Sequence, residues 1–163
     1  MNFEESLVWW LVADAGLQRL VAGRYFPGIP KQGTVGPYLV YRLQDEQGGR
    51  FLARRHDTVR VDYMLEVWDT DPDRCGTVAA LVVDRLDDTL GWMGGVKVKS
   101  LKAEQAGSDE QQDDSGNDAW WYRRRIRLEA AYDKFRGPPV HGPTAATKGQ
   151  SPATSTAGIN HGV

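Results

Sequence analysis

The segment Thr58-Val59-Arg60-Val61-Asp62-Tyr63-Met64-Leu65-Glu66-Val67-Trp68 leaves little freedom to the chain around it. Val59, Val61, Tyr63, Leu65 and Val67 alternate with Arg60, Asp62, Glu66 and Trp68, which predicts a strand with one dry face and one polar face. The chain turns at once into Asp71-Pro72-Asp73-Arg74. A residue before proline avoids helical dihedrals, Pro72 suits the first helical position, and the Asp71 carboxylate can cap open backbone amides. Cys75, Val78, Ala79, Val82, Leu86 and Leu90 then recur at helical spacing as far as Gly91, an expected C-terminal cap. A strand and a helix with one apolar face each are most simply buried against each other.

The remaining segments complete that pair of layers. Asn2 and Glu5 have the spacing of a capping box, and Phe3, Leu7, Trp10 and Leu11 share a helical face. Gly16 is expected to break this first helix, with one further short turn through Leu17, Leu20 and Val21 closing at Gly23. Trp9 and Trp10 are adjacent and cannot face the same way, so one is expected to be exposed. Residues 24–30 must be extended or turned. Tyr38 to Leu43 is expected to be a strand, apolar on both sides at its start, and residues 44–57 a long hairpin connection. Trp92-Met93-Gly94-Gly95 is expected to turn, and Val96 to Lys99 alternates again. Leu101 falls out of phase with Val96 and Val98, the mark of a bulge or a strand end. Trp120 to Tyr132 is the last strong strand.

These pieces predict an α+β fold: an antiparallel β-sheet of about four strands with two main α-helices packed on one face. Residues 1–136 form that core. From Glu104 to Asp118 the chain carries Glu104, Asp109, Glu110, Asp113, Asp114 and Asp118 with no Lys or Arg, and is expected to be a self-repelling loop inserted in the core. Residues 137–163 are mostly Gly, Pro, Ala, Ser and Thr, with Val140, Ile159 and Val163 the only sizeable aliphatic side chains; they predict an extended C-terminal arm that orders only against a partner.

Composition narrows the chemistry. With 163 residues, 40% hydrophobic and 26% charged, the chain can bury roughly two-thirds of its unfolded surface, and no metal or disulfide is needed to hold it. The lone Cys75 lies on an apolar stripe and predicts an inert buried thiol in a reducing compartment. Met1 to Glu5 carries acids where a signal peptide carries bases, and no run is apolar enough to span a membrane, so a cytosolic product is expected. A net charge of −2 gives no general attraction to nucleic acid or anionic lipid. There is no HExxH, CxxC pair, Gly-x-Ser-x-Gly elbow, Walker loop or dinucleotide glycine fingerprint. Of three histidines, His141 and His161 lie in the arm, and His56 follows Arg54 and Arg55 in an expected loop, where solvation outweighs catalysis. The Asp113–Asp118 run lacks the alternating ligands of an EF-hand. No catalytic residue, metal ligand or cofactor is expected, and the protein is read as no enzyme.

What remains are surfaces. Arg123, Arg125, Arg127 and Glu129 alternate on the polar side of the last strand, as Arg60, Asp62, Glu66 and Trp68 do on the first. If the two strands share a sheet, the face is mixed in sign, suited to ionic contacts within the sheet or with another subunit. Trp120 and Trp121 beside the arginines also admit a rival, a small nucleic-acid-binding regulator using the Arg123–Arg127 strand.

The assembled pattern resembles the small tail-completion (tail-terminator) proteins of long-tailed bacteriophages, which join tail to head. The resemblance runs over about residues 3–135: the amphipathic first helix ending in Ala13-Asp14-Ala15-Gly16-Leu17, the segment Leu20-Val21-Ala22-Gly23-Arg24-Tyr25-Phe26-Pro27, then Pro37-Tyr38-Leu39-Val40-Tyr41, the strand Val59 to Trp68 with its helix, and the closing strand. It implies a structural virion protein, assembled in the host cytoplasm, whose copies form a ring, usually a hexamer. The ring caps the tail tube, docks the head connector, adaptor or stopper protein, and leaves a lumen for passing DNA. A head-completion or connector adaptor ring is the nearest alternative. Subunit contacts are then expected at Arg60, Asp62, Glu66, Trp68, Trp120, Trp121, Arg123, Arg125, Arg127 and Glu129. Asp109, Glu110, Asp113 and Asp114 are candidates to line the lumen, and Val140, Ile159 and Val163 to seat the arm on a partner. The acidic segment and the arm exceed what the family needs.

Overall fold

The computed structural model describes residues 1–48, 57–112 and 119–134. Three helices, α1 (Phe3–Val12), α2 (Ala15–Val21) and α3 (Pro72–Leu86), pack with one sheet of six strands: β1 (Tyr25–Pro27), β2 (Tyr38–Gly48), β3 (Asp57–Asp69), β4 (Gly91–Met93), β5 (Val96–Gln112) and β6 (Trp120–Lys134). The spatial order is β1-β2-β3-β6-β5-β4. β1 runs parallel to β2 and every other neighbouring pair is antiparallel.

The α+β class holds, and among the described residues the count of about four strands and two main helices is corrected to six and three. β1 and β4 are three residues long, too short for alternation to show, and each is an edge strand held by its ladder. The first helix ends before Gly16. Ala13 caps α1, and the Asp14 carboxylate accepts the Leu17 amide at 2.9 Å, starting α2 one residue before the glycine. α3 stops at Leu86 rather than Gly91, and Leu90 is 69% exposed. β2 runs on through Gly48 where a connection was expected. Gln44 to Gln47 are exposed, so ladder bonds hold them with no apolar alternation to announce them. The expected loop from Glu104 is strand as far as Gln112, for the same reason. Residues 113–118 and the arm, with Val140, Ile159 and Val163, lie outside the described residues, as do His56, His141 and His161.

The core lies between the helices and one sheet face. Val59, Val61, Tyr63, Leu65 and Val67 of β3 stand beside Ile126, Leu128, Ala130 and Tyr132 of β6, all buried, in the expected phase. Cys75, Val78, Ala79, Val82 and Leu86 of α3 cover them, and the Cys75 thiol donates to the Val67 carbonyl at 3.3 Å. Burial, followed by the nearby Asp69 carboxylate, pushes that thiol up to about 11, so it stays protonated and inert. α1 is pinned at its start: Phe3 stacks on Tyr132 at 4.8 Å and Tyr63 at 5.6 Å, and the Tyr63 hydroxyl donates to Glu4. The predicted capping box is present, with the Glu5 amide on Asn2 Oδ1 and the Asn2 amide on Glu5 Oε2, each 2.8 Å. Replacing Asn2 with Ala is therefore expected to cost about 1 kcal/mol in urea unfolding, with the denaturant slope unchanged.

Among the described residues β5 has strand neighbours on both sides only at its start. The predicted irregularity at Leu101 is a register shift between Val98 and Ser100. Just beyond β4, Asp87 Oδ1 accepts the Ala103 amide and the Asp88 amide donates to the Leu101 carbonyl, so the chain leaving α3 clips the strand edge there. From Glu104 to Gln112 no described strand pairs with the outer edge of β5.

Candidate functional site

The face of the sheet away from the helices carries the charged and aromatic residues. Alternation along β3 and β6 places Arg60, Asp62, Glu66 and Trp68 on the same side as Trp121, Arg123, Arg125, Arg127 and Glu129. The strands are direct neighbours: Trp68 stands opposite Arg123, Glu66 opposite Arg125, Met64 opposite Arg127 and Asp62 opposite Glu129. The expected mixed-sign face thus exists as one surface. Trp120 alternates to the other side and is 47% exposed.

Much of this charge is engaged within the sheet. Arg123 lies at the centre of a network. Its guanidinium pairs with Asp109 on β5 through two nitrogens, the Nε contact measuring 2.7 Å, and with Glu66 on β3 at 3.3 Å. It also lies 4.9 Å over the Trp68 ring. Glu66 is buried, and its other contacts are the Trp68 indole N–H at 3.3 Å and Arg42 at 3.9 Å. Hydrogen bonds from Arg123 hold the Asp109 carboxyl below the usual carboxylate range, and the same bonds raise Arg123. Arg127 pairs with Glu129 at 2.8 Å in solvent, and Lys99 with Asp133 at 2.7 Å. Arg125 differs. Its Nε is buried with no hydrogen-bond partner among the described residues.

At one end this face is aromatic. Tyr38 stacks on Trp68 at 6.4 Å and 14°, Trp121 inclines to Tyr38 at 5.6 Å, and Phe26 meets Tyr38 edge-on. Tyr38 and Val40 are buried although they stand outside the main core. Burial, and then Glu66, pushes the Tyr38 hydroxyl up to about 12. The segment between β1 and β2 borders this end. Arg42 donates twice to the Gly28 carbonyl, and Gly36 approaches Asp69 so closely that an added Cβ would lie 2.9 Å from its Cα. Asp69, fully buried, takes Arg74 in two bonds of 2.5 and 2.7 Å and caps the Thr70 amide.

Sequence reasoning found the charged strands and missed Tyr38, Val40, Arg42 and the Asp69–Arg74 pair. The one available signal was the apolar character of β2 on both sides at its start. Of the lumen candidates, Asp109 is tied to Arg123, Glu110 is exposed on the opposite side of β5, and Asp113 and Asp114 lie outside the described residues. Trp9 is half exposed on α1, while Trp10 is tucked away: its indole donates to the Arg85 carbonyl and the Arg85 guanidinium sits 4.0 Å over its ring. Exposed Trp92 on β4 was not singled out from the sequence. Among the described residues no His, Cys, Asp or Glu cluster could hold a metal ion, and no helix is long and apolar enough to cross a membrane.

Residues 5–133 match the model of a family described as Tail completion protein gp17. No curated protein matches the chain. One solved structure, described as "Virion of native gene transfer agent (GTA) particle", has a chain 16% identical to this one with a TM-score of 0.58, over 81% of this chain and 95% of its own. At that identity the likeness is one of fold alone. A second solved chain is 17% identical over 83% of this chain and 92% of its own, with a TM-score of 0.42, too low to support a fold argument.

Proposed function

The chain belongs to the tail completion protein gp17 family and is a structural protein of the phage tail, part of the virion, and from this we propose that its copies close into a ring, a hexamer, that ends the tail tube and receives the head connector. The observation that carries this reading is the extent of the family match, residues 5–133, which runs from the third residue of α1 to the penultimate residue of β6. Head-to-tail closure requires two complementary surfaces on each subunit, repeated by one rotation. The open sheet face supplies a candidate for one, with charge, aromatic area and, among the described residues, no helix layered on it.

Arg125 gives the proposal its sharpest point. A buried guanidinium nitrogen without a partner among the described residues is costly as it stands, and a carboxylate or carbonyl of a neighbouring subunit would complete that guanidinium. The neighbours of the ring would be the tail tube protein below and the head connector, adaptor or stopper protein above. Glu110, Asp113 and Asp114 would face DNA in the lumen and repel it, so that the passing duplex does not adhere, while Asp109, on the other side of β5 from Glu110 and partly neutralised by Arg123, would add less. Engagement of Arg123 by Asp109 and Glu66, and of Arg127 by Glu129, leaves a poor phosphate track, which weighs against the nucleic-acid-binding reading.

Native mass measurement on the purified protein tests the ring directly, with six subunits the expected result. Arg125→Gln keeps the side-chain stem and sets no second carboxylate beside Glu66. It is expected to raise the ring's dissociation constant by at least about tenfold while leaving the monomer folded. A chain that stays monomeric at high concentration and is absent from purified particles would overturn the proposal.

A further inference from the structure

The aromatic end of the open face forms a groove of about 360 Å³. Its walls are Tyr38, Trp68 and Trp121, contributed by three adjacent strands, and Val40 is buried beneath them. Pro30 forms one rim, and the amide side chains of Gln111 and Gln112 form the other. Flat aromatic walls with amide donors at the lip suit one ligand chemistry above others. A polyproline segment lays its pyrrolidine rings on aromatic faces and offers bare carbonyls, having no internal hydrogen bonds to give up and little entropy to lose. Among the described residues the groove's one cation, Arg42, is already engaged by the Gly28 carbonyl and Glu66, so a charged ligand has little to hold.

A segment of that chemistry lies in the chain itself. Pro138-Pro139 is the only adjacent proline pair in the sequence, and Val140 follows it. Residues 137–163 contain no Asp or Glu, so Asp109 and Glu110 near the groove would not repel them.

Length decides which copy supplies the ligand. β6 leaves the groove at Trp121 and ends at Lys134, which pairs with Asp57 at the opposite end of the sheet. At about 3.3 Å per residue the intervening strand is about 43 Å long. From Lys134 to Pro138 the chain spans at most about 14 Å. A copy's own proline pair therefore falls short of its own groove by about threefold, and only another copy's can reach it. We infer that the Gly137-Pro138-Pro139-Val140 segment of one copy docks in the Tyr38–Trp68–Trp121 groove of the next. This rests on the association of copies proposed above and gives that association a defined link.

The test uses the full chain. A version carrying benzoylphenylalanine at position 140 is mixed with an equal amount of isotope-labelled unmodified chain, assembled and irradiated, and the adducts are mapped by mass spectrometry. The expected result is adducts joining the two isotopic populations, on peptides containing Tyr38, Trp68 or Trp121, with a yield at least about tenfold lower when Pro138 and Pro139 are both replaced by Ser. That replacement leaves the sheet untouched, so a lost signal is not a folding defect. Trp121→Ala is the complementary variant, scored only with an unchanged unfolding midpoint. Adducts confined to one chain, or on other surfaces in a ring of unchanged mass, would overturn this docking and leave the ring standing. Monomers in the parallel mass measurement would remove the ring reading, and the docking with it.

Discussion

Replacing Arg123 with Ala is expected to cost the fold about 3 kcal/mol in equilibrium unfolding at neutral pH. The loss comes mainly from what is left behind. Glu66, its side chain 7% exposed, would keep only a contact of 3.9 Å to Arg42 and one indole N–H, and a buried carboxylate stripped of its counter-ion is among the costly states a mutation can create. The cation above the Trp68 ring contributes about a further 0.5 to 1 kcal/mol. Adding Glu66→Gln to the same chain removes the stranded charge and is expected to return about half of the loss. The two substitutions should therefore be non-additive by more than about 1 kcal/mol in a double-mutant cycle; an additive result would refute the network. Asp109 adds a pH signature. Its folded pKa is depressed by Arg123, so its contribution is present above the ordinary carboxylate pKa and lost as pH falls through the depressed value. Arg123→Ala should abolish that part of the acid dependence.

Leu65→Ala is expected to be worse, at about 3 to 4 kcal/mol. Leu65 is fully buried in the middle of β3 between Tyr41 and Ile126, with α3 packed over the sheet, and a site so enclosed cannot collapse around the lost methyl groups. Urea midpoints at matched protein concentration measure it, and a cost below about 2 kcal/mol would mean that the helix layer sits elsewhere. Leu90→Ala is the control. Sequence periodicity places both leucines on apolar stripes, yet with Leu90 outside α3 its truncation should change stability by less than about 0.5 kcal/mol.

That pair of leucines shows how far periodicity reaches. Where a segment has one buried and one exposed side, as in β3, β6 and α3, the pattern located the element and its phase to within a few residues, because solvent and core enforce it at every position. Leu90 kept the helical spacing by coincidence, and only the Asp87 and Asp88 bonds to β5 show that the chain had already left the helix. Past the helices both sides of β2 and β5 meet solvent, and polar residues there leave nothing for periodicity to detect. The edge strands β1 and β4 were missed for a different reason, three residues being too few to show a period. The charged face was legible because its residues alternate within two strong strands. The groove was not, since Tyr38, Trp68 and Trp121 come from strands distant in sequence and meet only through register. Tyr38-Leu39-Val40, apolar on consecutive positions, was the trace it left: two of those side chains face away from the main core and still need cover.

The outer edge of β5, unpaired among the described residues from Glu104 to Gln112, bears on how copies of the chain meet one another. A bare ladder edge invites another strand, and growth by that route has no end point. Here Glu104, Asp109 and Glu110 sit along that edge strand, while Asp45 and Glu46 lie on the far part of β2, past the residues β1 covers. Two copies approaching edge to edge bring acid to acid. The like charge there opposes that route of association.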